Sequence, residues 1–124
     1  MAFESELRFT TMETGQDLSA NLFHFVSLAD DGQIDTTTDG ASADGVLHTT
    51  RDEAGRAVRV AVSGVSKLVA GGQISIGDKV ASDGDGKAKT AEAGDRVLGI
   101  ALEAAAESGI VIAVRLKLLG EPNA

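Results

Sequence analysis

In the stretch IGDKVASDGDGKA, residues 76–88, two carboxylates, Asp83 and Asp85, alternate with Gly84 and Gly86. Closely spaced carboxylates suit a calcium loop, and glycine amides suit a phosphate cradle. Counted from Asp83, a calcium loop needs oxygen ligands at positions 1, 3 and 5 and a bidentate Glu at 12. Position 5 is Lys87 and position 12 is Gly94, so the pattern fails. A phosphate cradle needs Gly-Lys-Ser/Thr opening a helix. Here GKAKT has no Ser or Thr directly after Lys87 and leads into a short strand. The stretch therefore reads as a hairpin turn, where Asp-Gly pairs are favoured because glycine tolerates positive φ.

The two histidines, His24 and His48, are the remaining candidate bases or metal ligands. His24 stands on an apolar segment and His48 in a polar one. No Gly-x-Ser-x-Gly nucleophile elbow occurs, and no zinc-ligand spacing recurs. Acid pairs such as Asp30/Asp31 and Asp52/Glu53 are adjacent in sequence, and neighbours on an extended chain point apart. No catalytic, cofactor-binding or metal-binding residue is assigned on these grounds, and no cofactor is expected.

The elements around these residues read as strands. NLFHFVSL (21–28) places Phe23 and Phe25 on one side and Leu22, His24, Val26 and Leu28 on the other, both largely apolar, as in a strand covered on both sides. AVRVAVSGV (57–65) alternates with period two, and so does IVIAVRLKLL (110–119), where Arg115 and Lys117 oppose Ile112, Val114 and Leu116. GVLHTT (45–50) is a short strand, RDEAGR (51–56) a charged turn, and residues 96–103 a further strand. DTTTDGASADG (35–45) is a polar surface loop. Short strands separated by Gly/Asp turns predict a mainly β chain: one small antiparallel β-barrel or sandwich over residues 22–119, with an extended N-terminal arm (1–21) and a polar tail (120–124).

Composition narrows the function classes. The chain has 124 residues, no cysteine, Phe as its only aromatic type, and a formal charge of −8. Absence of cysteine excludes disulfides and thiolate chemistry. No run of Lys or Arg is present to displace phosphate counterions, so nucleic acid is not an expected partner. No apolar run reaches membrane-spanning length and no signal-peptide pattern opens the chain, so a protein made in the cytoplasm, with no membrane partner, is expected.

From residue 44 the order of pieces is DGVL, GRAVRVAVSGVSKLVAGG, ISIGDKVASDGDGKA, GDRVLGIALEAA and VIAVRLKL, preceded by NLFHFVSLADDGQIDTTTDG. Over residues 15–118 this series resembles the small capsid decoration (cement) proteins of tailed bacteriophages and prophages. The resemblance implies a homotrimer on the outside of the virion head, made in the host bacterial cytoplasm, that clamps neighbouring major capsid proteins. On that reading Phe3, Leu7 and Phe9 of the arm are candidate capsid contacts, and the apolar pair Phe23 and Phe25 a candidate trimer interface. Gly77-Asp78 and Gly94-Asp95 are then corner devices, glycine turning the backbone and aspartate binding turn amides. The alternatives are a cellular non-enzymatic β-barrel that binds a ligand or assembles, and an enzyme using His24 or His48.

Overall fold

The computed structural model describes residues 4–49 and 55–123. The chain is mainly β. Among the described residues nine strands form one hydrogen-bonded network: β1 (Ser5–Thr14), β2 (Phe25–Leu28), β3 (Gln33–Thr36), β4 (Gly45–Leu47), β5 (Ala57–Val69), β6 (Lys79–Ser82), β7 (Ala88–Thr90), β8 (Arg96–Ala101) and β9 (Val111–Pro122). Their order is β1-β3-β2-β4-β5-β9-β8-β6-β7, and β1 also pairs with β5. That extra pairing closes β1, β3, β2, β4 and β5 into a ring. A parallel bridge between Ala70 and Ala88 joins the end of β5 to β7, so β5, β9, β8, β6 and β7 make a second circuit. The strand common to both is β5. All named strand pairs are antiparallel except β1–β3.

Each circuit has its own core. Leu18, Val26, Ile34, Leu47, Val58 and Val60 fill the first. Phe25, Val46, Leu68, Val80, Leu98, Ile112 and Val114 are among those filling the second. Adjacent residues Phe25 and Val26 thus enter different cores, and so do Val46 and Leu47. Successive side chains on a strand point to opposite faces, so β2 and β4 are apolar on both because both are covered.

Several sequence expectations shift. The first strand of the NLFHFVSL segment begins only at Phe25, because Phe23 has φ of +61° and the His24 amide donates to the Asn21 carbonyl at 3.1 Å. Residues 5–14 are extended but are not a separate arm. They pair antiparallel with β5 from Ser5↔Val65 to Glu13↔Ala57, and parallel with β3 at Glu13↔Gln33 and Thr14↔Ile34. The expected polar tail is likewise part of a strand: β9 runs to Pro122, which pairs with Arg96, and the Asn123 amide donates to the Asp95 carbonyl at 2.8 Å. Phe3 and residues 51–54 of the expected charged turn lie outside the described residues.

Candidate interaction site

The DGDG stretch forms the hairpin between β6 and β7. The Asp83 amide donates to the Lys87 carbonyl at 2.8 Å, and the Asp83 carboxylate accepts from the Asp85 and Lys87 amides through one oxygen, Oδ1, at 2.9 Å each. The ADDGQ hairpin between β2 and β3 repeats the pattern: Ala29 bonds Gln33 and Gly32 bonds Ala29, as Asp83 bonds Lys87 and Gly86 bonds Asp83. The Asp/Gly pattern is turn architecture in both.

The two Gly-Asp corners are also alike. In Ser75–Asp78 the Asp78 amide donates to the Ser75 carbonyl, and Asp78 Oδ2 accepts from the Ser75 amide at 2.9 Å. In Glu92–Asp95 the Asp95 amide donates to the Glu92 carbonyl, and Asp95 Oδ2 accepts from the Glu92 amide at 2.9 Å. Gly77 and Gly94 each have φ of +87°, the value a type II turn requires at its third residue. Lys89 ties the second corner to the polar loop, with Nζ 2.7 Å from Asp39 Oδ1 and 3.1 Å from Asp95 Oδ2. The Asp39 hydrogen bond is foremost in raising the Lys89 pKa, opposed by burial and assisted by Asp95.

A different constellation gathers around His48, just past β4. The ring centroids of Phe9 and Phe23 each stand 5.1 Å from the imidazole, edge-on at 71° and 77°. The Arg59 guanidinium lies 3.9 Å over the Phe9 ring, and Lys67 Nζ 5.8 Å from the Phe23 ring. The left-handed backbone of Phe23 is rare for a bulky residue. It is held from both sides, its amide donating to the Leu47 carbonyl at 2.8 Å and its carbonyl accepting from the Val69 amide at 3.0 Å.

His48 also joins two polar groups. Its Nε2 is 2.8 Å from Ser66 Oγ and its Nδ1 3.3 Å from Glu4 Oε2. Glu4, His48 and Ser66 have the order of a hydrolytic triad, but Ser66 is fully buried and its hydroxyl donates to the Lys67 carbonyl at 3.0 Å. A serine enclosed in this way is out of reach of a substrate carbonyl. Burial is the main cause holding the His48 pKa below its ordinary value. Glu4 pulls the other way, and Arg59 and Lys67 reinforce the lowering. Nothing local in the sequence signals this cluster, since strand pairing alone brings its members together.

His24 is buried, its Nδ1 hydrogen-bonded to the Leu22 carbonyl at 3.0 Å, as a structural histidine is. The candidate contacts separate. Phe25 is fully buried, so its apolar surface is already covered within one chain. Leu7 packs against the larger core, Phe23 is half-buried, and Phe9 is 37% exposed. Phe9 and Phe23, assigned to different partners from sequence, stand on the same imidazole. Among the described residues no three His, Asp or Glu side chains converge as metal ligands do.

Comparison with known proteins places these features. A family model described as phage cement protein matches residues 10–116. The head fiber gp8.5 N base of bacteriophage phi29 has a similar solved structure, with a TM-score of 0.69 and 21% sequence identity over 94% of this chain and 99% of that one. At that identity the likeness is one of fold. No curated protein matches the chain.

Proposed function

The chain belongs to the phage cement protein family, and we propose that it binds the outer surface of an assembled tailed-phage head and stabilises it by holding neighbouring major capsid proteins together. Membership over residues 10–116 carries the reading, and it makes the chain a structural protein of the virion. The His48 cluster supports a binding role over a catalytic one, since its serine is enclosed while an aromatic edge remains exposed.

The protein acts as a homotrimer in this proposal. Phe9 and Phe23 form one apolar patch around His48, and that patch is the contact between copies. A cyclic assembly suits a protein placed on a local three-fold axis. Phe25 lends no surface to it.

The test adds purified protein to expanded heads that lack it, then measures co-sedimentation and the temperature at which heads lose DNA. Stoichiometric binding and a raised release temperature are expected. Heads that neither bind the protein at micromolar concentration nor gain stability overturn the proposal. Light scattering of the free protein checks the assembly, with three chain masses expected and a persistent single chain counting against it.

A further inference from the structure

The outer wall of the second circuit carries a cross-strand row. Lys79 of β6 lies opposite Ile100 of β8, Ile100 opposite Arg115 of β9, and Arg115 opposite Val65 of β5. Directly opposed residues share a face, so these four stand together. Their sequence neighbours Val80, Val114 and Leu116 are buried, which turns the row toward solvent. Lys117, two residues beyond Arg115, is exposed on the same side.

This row is chemically unlike the rest of the chain, which has 19 Asp and Glu against 11 Lys and Arg. It holds no carboxylate. Among the described residues none of Lys79, Arg115 and Lys117 has a carboxylate within ion-pairing distance. At its end the Ser75–Asp78 corner is bonded to β8: the Gly77 amide donates to the Ala101 carbonyl at 2.8 Å and the Ala101 amide to the Asp78 carbonyl at 2.9 Å. The tip of that rigid corner is Ile76, 71% exposed. Cations whose charge the fold leaves unspent, beside projecting aliphatic side chains, fit an acidic protein surface with an apolar recess.

We propose that this wall is the face that docks on the head, Lys79, Arg115 and Lys117 meeting carboxylates of the shell protein and Ile76 filling an apolar recess. The inference rests on the cement reading and adds the surface and the chemistry of the partner. The copy-to-copy patch proposed above is built on Phe9 of β1 and on Phe23, just before β2; the two surfaces adjoin at β5, where Lys67 beside Phe23 is two residues from Val65, and the β6, β8 and β9 part of the wall is left for the second partner. On a molecule of charge −8 a cationic wall also favours an orientation, leading the approach to an acidic surface.

The experiment compares wild type, the triple variant Lys79→Glu/Arg115→Glu/Lys117→Glu, Ile76→Ser, and the control Lys87→Glu at the β6–β7 hairpin, each checked for fold by circular dichroism. Affinity for expanded heads is measured across a salt series, and the mass of each free protein by light scattering. Binding by the wild type that weakens with salt, roughly tenfold or greater loss in the triple variant, a smaller loss in Ile76→Ser and none in Lys87→Glu are expected. A triple variant that binds like wild type overturns the docking face while leaving the cement reading in place. Wild type that does not bind heads overturns both. A triple variant whose free protein changes mass assigns the wall to contact between copies and overturns the docking face.

Discussion

At the scale of single residues, one oxygen of Asp83 organises the β6–β7 turn by accepting from two amides. Asp83→Ala leaves both amides without that acceptor and is expected to cost about 1–3 kcal/mol in urea unfolding. Asp83→Asn, which keeps a carbonyl oxygen, should cost less. Millimolar calcium should leave the melting temperature unchanged, and a calcium-dependent rise that Asp83→Ala abolishes would contradict the turn assignment. His48 sets a pH dependence. Its folded-state pKa lies below the reference 6.5, so the unfolded chain takes up the proton first as pH falls. The stability it contributes is present in full above that reference value and is lost as pH falls through the folded-state pKa. Melting temperatures between pH 7.5 and about 5 should therefore decline in the wild type and decline less in His48→Gln. Equal slopes would show that His48 does not control this window. The Asp/Gly turns were legible in the sequence because every bond in them is local. The Glu4–His48–Ser66 cluster was not, because its members meet only after β1, β4 and β5 have paired.

Among the elements, β5 and β9 declared themselves by alternation, since one side of each is buried and the other is not. The pairing of β1 with β5 left no such mark. Phe9 and Arg8 are exposed on a strand held mainly by backbone bonds, so the segment read as an unattached arm. The junction depends on Gly64, which has φ of +102°; a Cβ there would come within 2.4 Å of the Glu6 carbonyl oxygen, where β1 departs from regular register. Gly64→Ala thus combines an unfavourable backbone with a clash against main chain. A loss of about 2 kcal/mol or more is expected by chemical denaturation. Removing residues 1–14 takes away the strand that closes the first ring. Thermal unfolding of the truncated free protein should show a much lower and broader transition. A truncated protein that melts like the full chain would return β1 to the status of an appendage.

For the whole molecule, the two cores are separate clusters, yet Phe25/Val26 and Val46/Leu47 supply both from adjacent positions. The double apolarity of that segment was visible in the sequence; its division between two cores was not, because periodicity shows that a face is covered but not by what. Such shared walls predict one cooperative unit. Calorimetry should give a single transition, and Leu47→Ala in the first core and Ile112→Ala in the second should each lower that transition, at a cost of about 2–5 kcal/mol. Two resolved heat peaks, each moved by one variant alone, would show that the circuits melt independently. The common strand also has a consequence during translation. Every strand of the first ring has been synthesised once the ribosome passes Val69, while the partner for Val65–Val69 is β9, which begins only at Val111. A nascent chain can close its first ring early, but it then carries a free edge on the Val65–Val69 end of β5 while β6, β7 and β8 are made. Unpaired strand edges recruit other chains, so a hazardous interval in this protein's synthesis opens when β5 is complete and closes with the arrival of β9.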